Sequence, residues 1–376
     1  MNEKGEETIM AFVHLHTHTE YSLLDGSNKI KEYVSRVKEL GMNSAAITDH
    51  GNMYGVVEFY KTAKAADINP VIGCEIYVAP NSRFDRETSH GEDRYYHLIL
   101  LAENNTGYAN LMKIVSIGFT EGYYYRPRVD FETLQKYHEG LICLSACLAG
   151  EVPRYIVRGF YEEAKGIAKK YQDCFGKDNY FLELQDHGIP DQKTVNQELD
   201  IPLVCTNDIH YTYETDVEAH DVLLCIQTGK KITDEDRMRY EGGQFFVKSE
   251  EQMRSLFPYA KEAADNTQKI ADRCHVTLEF GNYQIPKYAP PEGYDSAWTF
   301  LDALCEKGFK EKYTDNPAYD ETQCAKIHDD MEYELGIIQK MGFVEYILIV
   351  WDYINWAKTH DCWVGPGRGS GAGSRG

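Results

Sequence analysis

No CxxC pair occurs among the ten cysteines, and no amino-terminal run is apolar for long enough to be a secretory signal or a membrane span; the first candidate, IMAFV, is far too short. The cysteines therefore read as free thiols, and a reduced, cytoplasmic protein without a membrane partner is expected. Positive charge is also scarce: 39 basic residues against 60 acidic ones leave a net charge of −21. That excludes a surface that coats nucleic acid generally, though not one local basic groove. Nothing repeats at a fixed period and no low-complexity tract occurs. What is present, 43% hydrophobic residues in a chain of 376, describes a globular protein with room for a barrel of roughly 250 residues and a smaller unit. Residues 1–10, charged and polar, read as a disordered start.

Short apolar runs alternate with helical patterns, the signature of repeated βα units. AFVHLHTH reads as a first strand. Ile30, Val34, Val37 and Leu40 then mark one helix face that ends at Gly41. SAAITDH, PVIGCEIYVA, YYHLILLA, GLICLSA, NYFLELQ and IPLVCTND follow as strands, and seven such units predict a closed α/β barrel. After Tyr211 the strand signals fade into helices over 215–228, 249–257 and 260–273. The Pro-rich stretch 281–294 reads as a connection between a domain spanning 11–280 and a mainly helical one spanning 295–376, with helices over 297–312, 320–341 and 343–359.

In a parallel barrel the carboxyl ends of the strands converge on the face that carries chemistry. His16 and His18 close the first strand, and Asp49 and His50 the second. Glu75 lies on the third, His97 on YYHLILL, Cys147 just after GLICLSA, and Asp208 and His210 after IPLVCT. A lone strand-end histidine is usually a hydrogen-bonded surface group, and a lone cysteine a buried thiol. Two donors at i and i+2 differ, because the strand period points both to one side; this spacing occurs as H-T-H and as D-I-H. By that rule His14 shares the face of His16 and His18 if the strand runs straight. Nitrogen, carboxylate and one sulfur in this proportion suit zinc, with manganese or iron where carboxylates dominate. Nine donors exceed one tetrahedral ion, so two or three ions sharing a bridging carboxylate are expected. Such ions activate water and neutralise a phosphoester oxyanion, which predicts phosphate-ester hydrolysis.

Together these residues resemble the PHP (polymerase and histidinol phosphatase) family, whose motifs stand here as H16-T-H18, T48-D49-H50, G73-C74-E75, Y96-H97, S145-A146-C147 and D208-I-H210. The resemblance implies a distorted seven-stranded (β/α) barrel with up to three metals. It also implies the ligand set His16, His18, Asp25, His50, Glu75, His97, Cys147, Asp208 and His210, Asp25 entering through SLLDG. His14 falls where relatives often carry the Asp of a DLHxHT pattern. That places His14, like Asp49, behind the ligands, orienting them by hydrogen bonds.

AITDHGNMYGVVEFYKTAK, HLILLAENNTGYANLMKI, YYRPRVD, LELQDHGIP, GFVEYILIVWDYINWAK and VGPGRGSGAGS are further similar, in order, to the bacterial replicative DNA polymerase family, the polymerase III alpha chains. The resemblance makes GPGRGS the first motif of a polymerase palm, where Arg368 and Ser370 would cradle a nucleotide triphosphate. The palm aspartates that hold magnesium in that family lie beyond Gly376, so this stretch alone is not expected to polymerise DNA. TVNQELDIPLV also leaves little room for the longer helix that the family carries there.

Tyr123, Tyr124, Tyr125, Arg126 and Arg128 join aromatic and basic groups, a combination that stacks bases and holds phosphates; Tyr124, Arg126 and Arg128 are the DNA-contact candidates, set against a plain Pro127 turn with half-buried tyrosines. His187 is a loop histidine that could line the site. Three functions compete. One is a 3′–5′ proofreading exonuclease using a metal-bound hydroxide and no side-chain nucleophile. Another is a docking module for a separate exonuclease subunit and other replisome subunits. The last is a small-molecule phosphatase resembling histidinol phosphatase.

Overall fold

In the computed structural model, which describes residues 11–87, 93–195, 201–282, 284–365 and 367, the alternating apolar runs of the amino-terminal unit become one mixed sheet wrapped by helices. This unit ends at Leu278 and a second begins at Glu279. In chain order the first contains α1 (Ile30–Glu39), β1 (Ser44–Ile47), α2 (Val56–Ala65), β2 (Asn69–Val78), β3 (Tyr96–Ala102), α3 (Asn105–Thr120), β4 (Tyr123–Tyr124) and β5 (Arg126–Val129). There follow α4 (Phe131–Tyr137), β6 (Leu141–Leu144), α5 (Glu151–Val157), α6 (Tyr161–Phe175), β7 (Tyr180–Leu184), α7 (Pro190–Val195), β8 (Leu203–Cys205), α8 (Val217–Thr228), α9 (Glu250–Leu256) and α10 (Lys261–Ala271).

The sheet runs β4-β5-β2-β3-β6-β7-β8, with β1 on β2. Pairings β1–β2, β6–β7 and β7–β8 are parallel, as expected for βα units. β3 is not: it lies antiparallel to both β2 and β6. AFVHLHTH runs extended but joins its neighbours without a ladder. Its end completes the ring: Ile209 N donates to His16 O (3.1 Å) and His18 N to Ile209 O (2.7 Å) on one side, while Thr48 N donates to Thr17 O (2.9 Å) on the other. The result is a distorted (β/α) barrel with an unforeseen β4–β5 hairpin on its rim.

Strand periodicity sorts the side chains between two cores. Leu98, Leu100 and Ala102 face the helices. Ile99 and Leu101 face the barrel interior, with Val71, Ile142, Leu144, Phe181 and Val204. His97 shares the parity of Ile99 and Leu101, Glu75 that of Val71, and Glu183 that of Phe181. The polar residues of the centre therefore cap an apolar barrel core.

Helix ends follow their sequence signals. Ile30, Tyr33, Val34 and Val37 bury one face of α1, which Gly41 terminates at φ +77°. Asn104 and Asp130 cap α3 and α4 by accepting from Gly107 N and Thr133 N, both at 3.1 Å.

The second unit is helical: α11 (Ala297–Phe309), α12 (Glu321–Lys340) and α13 (Val344–Thr359). Ser296 and Asp320 form capping boxes for α11 and α12. Phe300, Leu301, Met331, Leu335, Val344 and Leu348 form its core. Arg368 and Ser370, the residues expected to cradle a nucleotide triphosphate, lie outside the described residues.

Candidate metal centre

At the barrel mouth the sequence-predicted donors meet. His16 Nε2 lies 3.1 Å from His18 Nε2, 3.3 Å from Glu75 Oε1 and 3.1 Å from Asp208 Oδ1. Asp208 Oδ1 is 3.2 Å from His18 Nε2. His97 Nδ1 is 2.9 Å from Glu75 Oε1, and His50 Nδ1 closes on Glu75 Oε2. On the far side of His50, Nε2 is 3.0 Å from Asp25 Oδ2; Asp25 Oδ1 is 3.9 Å from His210 Nε2. Cys147 joins at the edge, its Sγ 3.8 Å from His97 Nδ1. His97 sits at the start of β3 and not at a strand's carboxyl end. The reversed direction of β3 is what brings that end to the mouth.

These atoms make three overlapping donor groups: His18, His50 and His210; His16, His18 and Glu75; and His50, Glu75 and His97. Glu75 belongs to two of them, as a bridging carboxylate must.

The protons are directed away from the centre. Ser22 Oγ donates to Asp49 Oδ1 (2.7 Å) and so accepts from His18 Nδ1 (3.0 Å), which leaves His18 Nε2 bare towards the centre. Asp49, which also accepts from Thr19 N and Oγ1, thus acts on His18 through Ser22. His210 Nδ1 donates to Asp208 O (2.8 Å), again leaving Nε2 inward. In its neutral form His16 does the same, donating from Nδ1 to Glu183 Oε2 at 3.0 Å. Bare imidazole nitrogens and carboxylate oxygens facing one another at about 3 Å, all buried, are a donor set that a cation completes.

The electrostatics agree. Burial opposes charge on the His16 ring, but the carboxylates of Asp208 and Glu183 outweigh it and hold its pKa well above the ordinary value. Burial, with the neighbouring His50 and His210 rings, pushes His18 down to about 3, so it stays a neutral donor. Burial raises Glu75, yet the surrounding imidazoles His97 and His50 bring it well below the usual carboxylate range. Burial raises the Cys147 thiol. Backbone strain collects here too: Leu24 before Asp25, Ala146 before Cys147, and Asp208 itself have φ of +60°, +64° and +44°. Such conformations cost on the order of 1 kcal/mol or more each and persist where a side chain must be aimed.

Two expected roles are corrected. His14 does not orient a ligand: its Nε2 contacts Lys248 O at 2.8 Å and its Nδ1 has no hydrogen-bond partner among the described residues. The reason is parity. Val13 and Leu15 face the barrel interior while Phe12 faces the helices, His14's ring packs on Phe12, and the chain bends at His16. Only after that bend do His16 and His18 point inward. Arg128 is not a surface contact either. It is buried, with its guanidinium donating to Gly122 O, Arg94 O and Asp85 O. Tyr124 is half-buried and Arg126 exposed.

Sequence reasoning missed Glu183 and Tyr240. Glu183 is the one charged residue in the apolar run YFLEL, a signal that was available. It holds His16 and is itself fixed by Ala146 N (2.8 Å) and Thr206 Oγ1 (2.5 Å). Tyr240 donates to Asp25 Oδ1 and lies against His210 Nε2, both at 3.1 Å; nothing in RMRYEGG announces it. His187 is buried and turned away, its Nε2 on Asn207 O.

Two family profiles match. The PHP domain profile covers residues 14–187, and that for the bacterial DNA polymerase III alpha NTPase domain covers 299–375. The chain is a PHP domain followed by a DNA polymerase III alpha domain. It is 46% identical to the DNA polymerase III subunit alpha of Treponema pallidum over 97% of this chain and 31% of that one. Against that of Borreliella burgdorferi it is 44% identical over 96% and 32%. Thermus aquaticus gives 40% over 97% and 35%, so the chain spans about a third of the length of these relatives. Among solved structures, an amidohydrolase from Chromobacterium violaceum aligns with a TM-score of 0.36 at 14% identity, over 54% of this chain and 88% of that one. A two-domain protein from Bacteroides vulgatus, described as containing a PHP-like metal-dependent phosphoesterase, aligns at 0.36 and 15% identity, over 69% and 63%. No described helix of the PHP domain or of its helical partner is long and apolar enough to cross a membrane.

Proposed function

We propose that the PHP domain hydrolyses phosphodiesters with two or three zinc ions, removing nucleotides from DNA 3′ ends beside a replicative polymerase that the rest of the polymerase III alpha chain would supply. The observation that carries this reading is the overlap of the three donor groups through Glu75, His18 and His50. Separate donor groups would hold isolated ions, whereas shared ligands hold ions close enough to act on one phosphoryl group. The chemistry such a centre supplies is acidification of a water and neutralisation of charge on a phosphoryl oxygen. The chain's own part is to aim the donors. Glu183 keeps the proton of His16 on Nδ1, Ser22 does so for His18, and the Asp208 carbonyl does so for His210. Tyr240 holds Asp25 and His210 together from the opposite wall. Among the described residues no serine or threonine stands in the centre as a nucleophile with its own base, and Ser22 is committed to Asp49.

The paired test is metal content of the purified chain, together with nucleotide release from a 3′-recessed DNA primer, for wild type and His16→Ala. At least two ions per chain and release that His16→Ala abolishes are expected. Fewer than two ions, or release untouched by the substitution, would sink the reading.

A further inference from the structure

One wall of the centre continues outward as alternating aromatic rings and cations. The His97 ring stacks on Tyr95 (centroids 6.0 Å, 12° between planes) and meets Tyr77 edge-on at 5.2 Å; Tyr77 in turn stacks on His50 at 6.4 Å. Arg126 lies over Tyr77, its guanidinium carbon 5.6 Å from the ring centroid. Arg94 covers one face of Tyr125 at 4.3 Å. Arg94, Tyr95, Tyr125 and Arg126 line one cavity with Asp93 and Arg154.

Three features of this wall suit a ligand. The first is charge. Arg83, Arg154, Arg158, Arg237, Arg254 and Arg273 all carry carboxylate partners. Among the described residues Arg94 and Arg126 form no ion pair, in a chain whose net charge is −21; Arg86, Arg128 and Arg239 form none either, but their guanidinium groups donate to backbone carbonyls. Two unpaired guanidinium groups beside the donor cluster attract phosphate. The second is strain: Tyr125, at the tip of the β4–β5 hairpin, has a φ of +61°. Glycine would adopt that conformation freely, and a large aromatic in its place points to use of the ring. The third is exposure: with Arg94 over its ring and the Tyr124 ring meeting it at a steep angle with centroids 4.7 Å apart, Tyr125 is still 59% exposed, which leaves aromatic surface for a base to contact.

We infer that this wall is the binding subsite for a single-stranded 3′ end, Arg126 holding the phosphate next to the donor cluster and Tyr125 stacking the base beyond it. The inference rests on the phosphodiesterase reading for its location and deepens it by naming the substrate class. Stacking requires an unpaired base and is tolerant of which base it is. The subsite therefore takes frayed or single-stranded ends in preference to paired ones.

The test is fluorescence anisotropy of a labelled twelve-nucleotide oligothymidine with phosphorothioate linkages at its 3′ end, on wild type, Arg126→Ala and Tyr125→Gly, with a blunt duplex of the same length as comparison. We expect wild type to favour the single strand and each substitution to weaken that binding roughly tenfold. Arg126→Ala should also reduce the slope of log affinity against log salt by about 0.7, the loss of one phosphate contact on a single strand. Tyr125→Gly relieves the positive φ, so its melting temperature should hold or rise while binding falls, which a purely structural role would not produce. Equal affinity for strand and duplex, or binding within twofold of wild type in both variants, would overturn the inference. Hydrolysis of bis(4-nitrophenyl) phosphate by wild type alone is followed separately. Loss of that activity with strand binding as expected would remove the phosphodiesterase reading and keep the subsite.

Discussion

The Nε2 atoms of His16 and His18 face each other across 3.1 Å, and the Nδ1 atom on the far side of each ring is held by its own acceptor, Glu183 for one and Ser22 for the other. Two lone pairs so placed repel unless a cation or a proton lies between them. We expect His16→Ala and His18→Ala each to remove at least one ion per chain, measured by elemental analysis. His14→Ala should leave the ion count at the wild-type value and lower stability by about 1–3 kcal/mol, because it deletes a buried ring and its bond to the Lys248 carbonyl. Equal ion loss from all three would return His14 to the centre.

Glu183→Gln separates orientation from coordination. The amide keeps the shape but has one acceptor oxygen where the carboxylate has two: with that oxygen on Ala146 N its NH2 faces His16 Nδ1, and with it on His16 Nδ1 the NH2 faces Ala146 N. Metal affinity should fall 10- to 100-fold, the usual cost of losing such a supporting carboxylate, with the fold retained. Competition against a chromophoric chelator, alongside circular dichroism, reads both; unchanged affinity would mean that Glu183 only fills the barrel.

His14 and Glu183 mark how far the sequence could be read. His16, His18, Asp208 and His210 were legible because i, i+2 donors at a strand end have few structural explanations, and the β/α alternation was legible because apolar runs of strand length are bounded by helix and turn signals. His14 misled because spacing assumes a straight strand, and the parity change at His16 is a tertiary effect of ring closure on Ile209 and Thr48. The reversal of β3 was hidden for a similar reason: strand direction is set by pairing with β2 and β6, not by composition. Arg128 resembled a surface cation beside tyrosines, yet the carbonyl oxygens of Gly122, Arg94, Arg83 and Asp85, which only the fold brings together, take up its donors. Tyr240 reaches Asp25 across 215 residues of chain, a contact that no local pattern encodes.

Removal of metal should be visible in stability as well as in activity. With Asp25, Glu75 and Asp208 converging on imidazoles, the metal-free cluster keeps carboxylates that depend on protonated rings and, for Asp25, the Tyr240 hydroxyl for compensation. A ligand at 100 times its dissociation constant adds about 2.7 kcal/mol for one site. Dialysis against chelator should therefore lower the melting temperature by several degrees, and zinc should restore it in proportion to occupancy. A melting curve indifferent to chelator in a chain that carries metal would show that the ions bind folded and unfolded forms alike.

Lys248 supplies a pH test away from the ligands. Its side chain is buried, with Nζ 3.0 Å from Asn207 Oδ1 and also on Gln244 O, and burial lowers its pKa to about 7. In the unfolded chain it titrates near its ordinary value of about 10.4. Below pH 7 both forms carry the proton, and the penalty of the buried charge is constant. Between pH 7 and about 10.4 the unfolded form binds more protons than the folded one, so this group's contribution makes stability rise with pH across that window. Lys248→Met removes the contribution: wild type should gain on the variant in urea midpoint between pH 7 and 9, and the two should run parallel between pH 5.5 and 6.5. Parallel curves throughout would mean that Lys248 keeps its ordinary affinity for the proton, and that Asn207 and the Gln244 carbonyl solvate the ammonium as well as water does.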